Sequence, residues 1–203
     1  MPVHVESAPR RWRRASLAAV GALLVAVAGC GEDADEGVAA PGTPLIPTST
    51  TAITTNQPEL DLGALRTAGR TALAAVQDST LISIETERDR GWEVQVVTGD
   101  GVEHELEVSG DGNTVVLGPT AKNEDESDRA EHRDRIGAAR VDYQAAADTV
   151  LEEVPGGTIT ELNLDGDNGT TVWEADVIDS SRVKHEVTID AESGEVVASR
   201  SER

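Results

Sequence analysis

One pattern occurs twice in this chain, and that duplication limits the possible folds more than any other feature. Trp92-Glu93-Val94-Gln95-Val96-Val97 is matched by Trp173-Glu174-Ala175-Asp176-Val177-Ile178. His104-Glu105-Leu106-Glu107-Val108 is matched by His185-Glu186-Val187-Thr188-Ile189 at the same offset of 81 residues, which Val115-Val116 and Val196-Val197 also keep. Upstream, Thr80-Leu81-Ile82 matches Thr158-Ile159-Thr160 at an offset of 78. The difference of three residues is assigned to a loop at 165–172, because loops absorb insertions. Self-similarity of this kind marks a duplicated supersecondary unit.

Each copy has the same order of elements. Leu65, Ala68, Gly69, Ala72, Leu73 and Val76 fall at helical spacing, as do Tyr143, Ala146, Ala147, Val150, Leu151 and Val154. Pro155-Gly156-Gly157 ends the second helix. Strands of period two follow. Trp92, Val94 and Val96 point one way and Glu93 and Gln95 the other; Trp173, Ala175 and Val177 oppose Glu174 and Asp176 in the same manner. The next strand alternates Val102, His104, Leu106 and Val108 against Glu103, Glu105 and Glu107, and its counterpart Val183, His185, Val187 and Ile189 against Lys184, Glu186 and Thr188. Asp111-Gly112-Asn113 and Glu192-Ser193-Gly194 read as turns into a last short strand. Clean alternation predicts an antiparallel sheet covered on one face. The expected fold class is α+β: two small tandem modules, each a helix packed on an antiparallel sheet of three to four strands.

These residues resemble the PepSY domain family. The likeness is close in the second copy, through Trp173-Glu174, His185-Glu186-Val187-Thr188-Ile189-Asp190 and Ser193-Gly194-Glu195-Val196-Val197. The first copy departs at its end, where Ser109 stands for the Asp and Asn113-Thr114 for Gly-Glu. Together the copies cover about two thirds of the chain. The resemblance implies a small α+β module of the kind found in propeptides of secreted metallopeptidases and in bacterial membrane and secreted proteins. It implies a role in inhibiting or regulating peptidases near the cell envelope, and it carries no catalytic residues.

The segment before the repeats reads as an export signal. Arg10, Arg11, Arg13 and Arg14 precede an apolar stretch at 15–28, too short for a comfortable transmembrane span. That stretch runs into Val27-Ala28-Gly29-Cys30, which resembles the bacterial lipobox, with cleavage before Cys30 and acylation of its thiol. Arg13-Arg14 is a weak match to a twin-arginine signal. Cys30 is the single cysteine, so no intramolecular disulfide forms. The predicted organisation is a lipoprotein signal peptide at 1–29, a disordered tether at 30–61 rich in Gly, Pro and Thr, a first module at 62–118, a polar linker at 119–137 and a second module at 138–200. Acyl chains on Cys30 would hold the protein on the extracytoplasmic face of the cell membrane without spanning it.

Charge narrows the partners. The chain has 17 basic and 38 acidic residues, and beyond residue 29 these become 13 and 37, a net charge of −24. Such a surface repels phosphate backbones, which excludes nucleic acid and favours cations or basic partners. Candidate binding residues are Trp92, Trp173, His104 and His185; core packing is the simpler role for the tryptophans, and a hydrogen-bonded place at the core edge for the histidines. Adjacent strand residues face opposite ways, so His104 with Glu105, or His185 with Glu186, cannot chelate together. Asn163, Asp165, Asp167 and Glu174 faintly resemble a calcium loop, but Asn168 stands where glycine is needed and a hairpin turn is the better reading. No nucleophile motif, phosphate loop or metal-ligand spacing is present, so neither cofactor, metal nor catalytic residue is expected. The expectation is a non-catalytic binding module acting on an exported peptidase or another envelope protein. The alternative is an envelope lipoprotein that binds or senses cations.

Overall fold

The computed structural model describes residues 61–87, 91–167 and 169–202. The expected signal, the expected lipidation site at Cys30 and nearly all of the expected tether therefore lie outside the described residues. The elements run α1 (Leu62–Ala75), β1 (Ser79–Thr86), β2 (Trp92–Thr98), β3 (Glu103–Val108), β4 (Val115–Ala121), α2 (Glu126–Ala138), α3 (Tyr143–Glu153), β5 (Thr158–Asp167), β6 (Thr170–Ile178), β7 (Lys184–Asp190) and β8 (Val196–Glu202). The α+β class is as expected, with four strands in each half.

The two halves share local details. Asp61 and Asp142, 81 residues apart, cap α1 and α3, their carboxylates accepting from Ala64 N–H and from Gln144 and Ala145 N–H. Asp78 and Gly156 share positive φ after the two helices, and Gly101 and Arg182 share it in the β2–β3 and β6–β7 turns. Each first strand has a bulge, between Leu81 and Ser83 and between Ile159 and Glu161. The change of offset has two sources. Helix α3 has 11 residues where α1 has 14. The three residues regained do not make the loop expected at 165–172; they lengthen β5 and β6 to 10 and 9 residues, where β1 and β2 have 8 and 7. The segment once suggestive of a calcium loop is this hairpin.

All eight strands form one antiparallel sheet in the order β4-β3-β2-β1-β5-β6-β7-β8. The halves meet where β1 pairs with β5, through Ser83↔Asn163, Ile84↔Leu162 and Glu85↔Glu161. Ile84 and Leu162 are both fully buried there, and one apolar cluster takes in both halves. Trp92, Val94, Val96, Leu106 and Val108 supply it from one side, Trp173, Ala175, Val177, Val187 and Ile189 from the other. Helices α1 and α3 lie over this face and touch each other. Tyr143 donates to Arg66 C=O at 3.1 Å, and Arg66 pairs with Asp148.

Gly69 makes that helix contact possible. A methyl group there would stand 2.5 Å from the Tyr143 ring. Glycine-to-alanine changes in a helix usually gain about 1 kcal/mol. Here overpacking reverses the sign, and Gly69→Ala is expected to lose about 1–3 kcal/mol, measured by denaturant unfolding.

The polar run at 119–137 holds the end of β4 and helix α2. It is a polar helix because its N-cap Asp125, its acidic first turn and Arg135 in its last turn suit the helix dipole, while its residues give no apolar stripe. Its one buried residue is His132. Arg133 donates to Asp100 C=O at 2.8 Å, and Arg135 lies 3.4 Å from Asp165, so α2 is tied to the β2–β3 turn and to β5.

Candidate functional site

The residues facing away from α1 and α3 form the most distinctive surface. Strand register sets Glu107, Glu93, Glu85, Glu161, Asp176 and Glu186 side by side on six successive strands, from β3 across to β7. The row ends on Arg200 of β8. A second row holds Glu105, Gln95, Ser83, Asn163, Glu174 and Thr188. Neighbouring strands lie about 4.8 Å apart, so like charges directly opposite one another oppose folding.

Local partners soften this. Asn163 donates to Glu161 at 2.5 Å and Gln95 to Glu93 at 3.3 Å. Lys184 sits 2.9 Å from Asp176 and 3.8 Å from Glu186. Hydrogen bonding to Asp176 holds the Lys184 ammonium above its ordinary pKa. The two glutamates that follow the repeated tryptophans carry the strain. Burial, then the charges of Glu105, Glu85 and Glu87, pushes the Glu93 carboxyl up to about 7. Burial, then Asp165, Asp167, Glu186 and Asp176, raises that of Glu174.

A carboxyl raised in the folded state holds a proton that the unfolded chain releases from about pH 4.5 upward. Glu93 therefore costs nothing in strong acid and costs stability increasingly as pH rises to about 7, above which the cost is complete. Glu93→Gln is expected to raise the melting temperature at pH 8 by a few degrees, corresponding to about 1 kcal/mol after solvent screening, and to leave it unchanged at pH 4. Thermal unfolding at the two values checks this.

The residues singled out by sequence are dispersed. Trp92 and Trp173 are 1% exposed, within the core beneath the helices, donating to Gly110 C=O at 3.2 Å and Val141 C=O at 2.8 Å. His104 and His185 are half-buried on β3 and β7. Five strand spacings separate them, on the order of 24 Å. His185 lies 3.0 Å from Asp179, holding the β6–β7 turn with Val183 N–H, which also bonds that carboxylate. Alternation correctly placed Glu93, Glu105 and Glu174 opposite the core. It did not reveal that they share one surface, which depends on strand order.

Glu103 departs from the alternation. Its parity puts it on the solvent face, yet it is 1% exposed, because α2 crosses that end of the sheet and lays His132 against it. Lys122 pairs with Glu103 and lies 3.6 Å from Glu105. Burial works against the Lys122 charge, and the two carboxylates overcome it and raise its pKa.

A second exposed feature lies at the sheet edges. Among the described residues, Val116 and Leu117 on β4 and Val196 and Val197 on β8 are the exposed large apolar residues. Pro119 and the register shifts interrupt β4, which discourages pairing there.

Comparison with known proteins adds a family relation for part of the chain. The model of the PepSY family, the peptidase propeptide and YPEB domain, matches residues 140–200, which hold α3 and β5–β8. A solved protein of Clostridium difficile 630, inferred to be a lipoprotein, is similar at 19% identity with a TM-score of 0.47, covering 72% of this chain and 99% of its own. No curated protein matches the chain.

Proposed function

We propose that this protein is a membrane-anchored, non-catalytic binding module of the PepSY type that holds a cationic segment of an exported protein against its carboxylate face. A peptidase or peptidase precursor is the partner that the family match at 140–200 favours. The observation that carries the reading is the row of six carboxylates in register, on a sheet face that neither α1 nor α3 covers. A surface held together against its own repulsion gains stability when a cationic partner neutralises it. The anchoring half of the proposal rests on the lipobox at Val27–Cys30 and on the tether-like composition that follows. Among the described residues no helix is long and apolar enough to cross a membrane.

The test uses the purified mature chain and the peptidases exported by the same cell. Salt-sensitive binding or inhibition of one of them supports the proposal. Failure to bind or inhibit any of them removes it. Cation binding is the second reading, favoured by Glu85, Glu87 and Glu93, whose carboxylate oxygens lie within 4.8 Å of one another. Calorimetry with calcium separates the two readings.

A further inference from the structure

We propose that Glu103, Glu124 and His132 form a binding site for one zinc-class divalent cation, which clamps α2 to the sheet. Their donor atoms lie within 4.8 Å of one another. His132 Nε2 stands 3.0 Å from Glu124 Oε1 and 3.4 Å from Glu103 Oε2. Tetrahedral zinc bound at about 2.0–2.1 Å requires donors about 3.3 Å apart, which the two distances from His132 Nε2 already approach.

The second oxygen of each carboxylate is engaged elsewhere. Lys122 takes Glu103 Oε1, leaving Oε2 for the ion. The Glu103 N–H donates to Glu124 Oε2 at 3.4 Å, leaving Oε1. Each carboxylate thus offers one oxygen and is oriented through the other, the arrangement that supporting groups give metal ligands.

Burial points the same way. Glu103 is 1% and His132 6% exposed. An apolar residue at these positions would dock α2 without the cost of dehydrating charges. Glu103 and Glu124 bring two carboxylates to His132, and a dication compensates charge of that sign. The sequence gives no ligand signature, since position 103 lies on a strand and 124 and 132 flank and enter a polar helix. This site adjoins the second row through Lys122, which also reaches Glu105, but it does not depend on the function proposed above.

The experiment titrates zinc chloride into chelator-treated mature full-length protein by calorimetry, with cobalt(II) as a spectroscopic probe. Expected are one ion per chain, a dissociation constant of about 10 μM or tighter, and the visible absorption of four-coordinate cobalt. Glu124→Gln and His132→Gln should each weaken binding by at least about ten-fold, whereas the double change His104→Gln/His185→Gln should leave it unaltered. Glu124 is part-exposed, so its variant serves should the His132 change unfold the protein. The proposal is overturned by no binding below about 1 mM, by equal binding in the Glu124 variant, or by loss of binding in the His104/His185 variant.

Discussion

Replacing Trp173 by alanine is expected to remove about 3–5 kcal/mol of folding stability, and Trp92→Ala to do the same. Each indole is 1% exposed and loses its packing and its bond to a backbone carbonyl when truncated. Small domains commonly have about 5–15 kcal/mol in total, so either change brings the protein near the limit of folding. The shape of the transition is as informative as its position. The two tryptophans belong to different repeats but to one cluster, joined at Ile84 and Leu162. Each variant should therefore unfold in a single transition, at lower denaturant, by both circular dichroism and fluorescence. Two transitions, with only one displaced by each substitution, would show that the repeats fold independently.

The second large effect has opposite signs on stability and on binding. Changing Glu93, Glu107, Glu161 and Glu174 together to glutamine removes four charges from the open face and keeps the side-chain shapes. Glu161 retains an oxygen for Asn163. Relief of cross-strand repulsion should stabilise the protein by about 1–2 kcal/mol at pH 8. Affinity for a cationic partner should fall about 100-fold, or about 2.7 kcal/mol, and its dependence on salt should flatten. Stability gained with binding lost is the signature of a surface kept for recognition. A surface that is merely solvated would gain stability and lose nothing.

Much of the architecture was legible in the sequence because duplication doubles each weak signal. The helical stripe from Leu65 to Val76 and the alternation after Trp92 and Trp173 placed both helices and the inner strands. The Trp–Glu dipeptide assigned one residue to the core and the next to the other face. Three features were not legible, each for a physical reason. The union of the repeats depends on β1 pairing with β5, and Ser83, Glu85, Glu161 and Asn163 read as ordinary strand residues whichever strand lies beside them. The row of carboxylates follows from that union, since register across six strands is a property of topology. Helix α2 sits in a run whose polarity reads as linker, because it docks through the buried His132 and has no apolar stripe. Burial of Glu103 follows from α2 in turn, and no local pattern on β3 announces it.

The most direct test is cross-linking capture from the native membrane, comparing the wild-type protein with the four-glutamine variant at low and high salt. Wild type should capture an exported peptidase or its precursor, salt should weaken the capture, and the variant should lose it while remaining folded and membrane-bound. Equal capture by the variant, or no exported partner captured by wild type, would contradict the assignment of the carboxylate face.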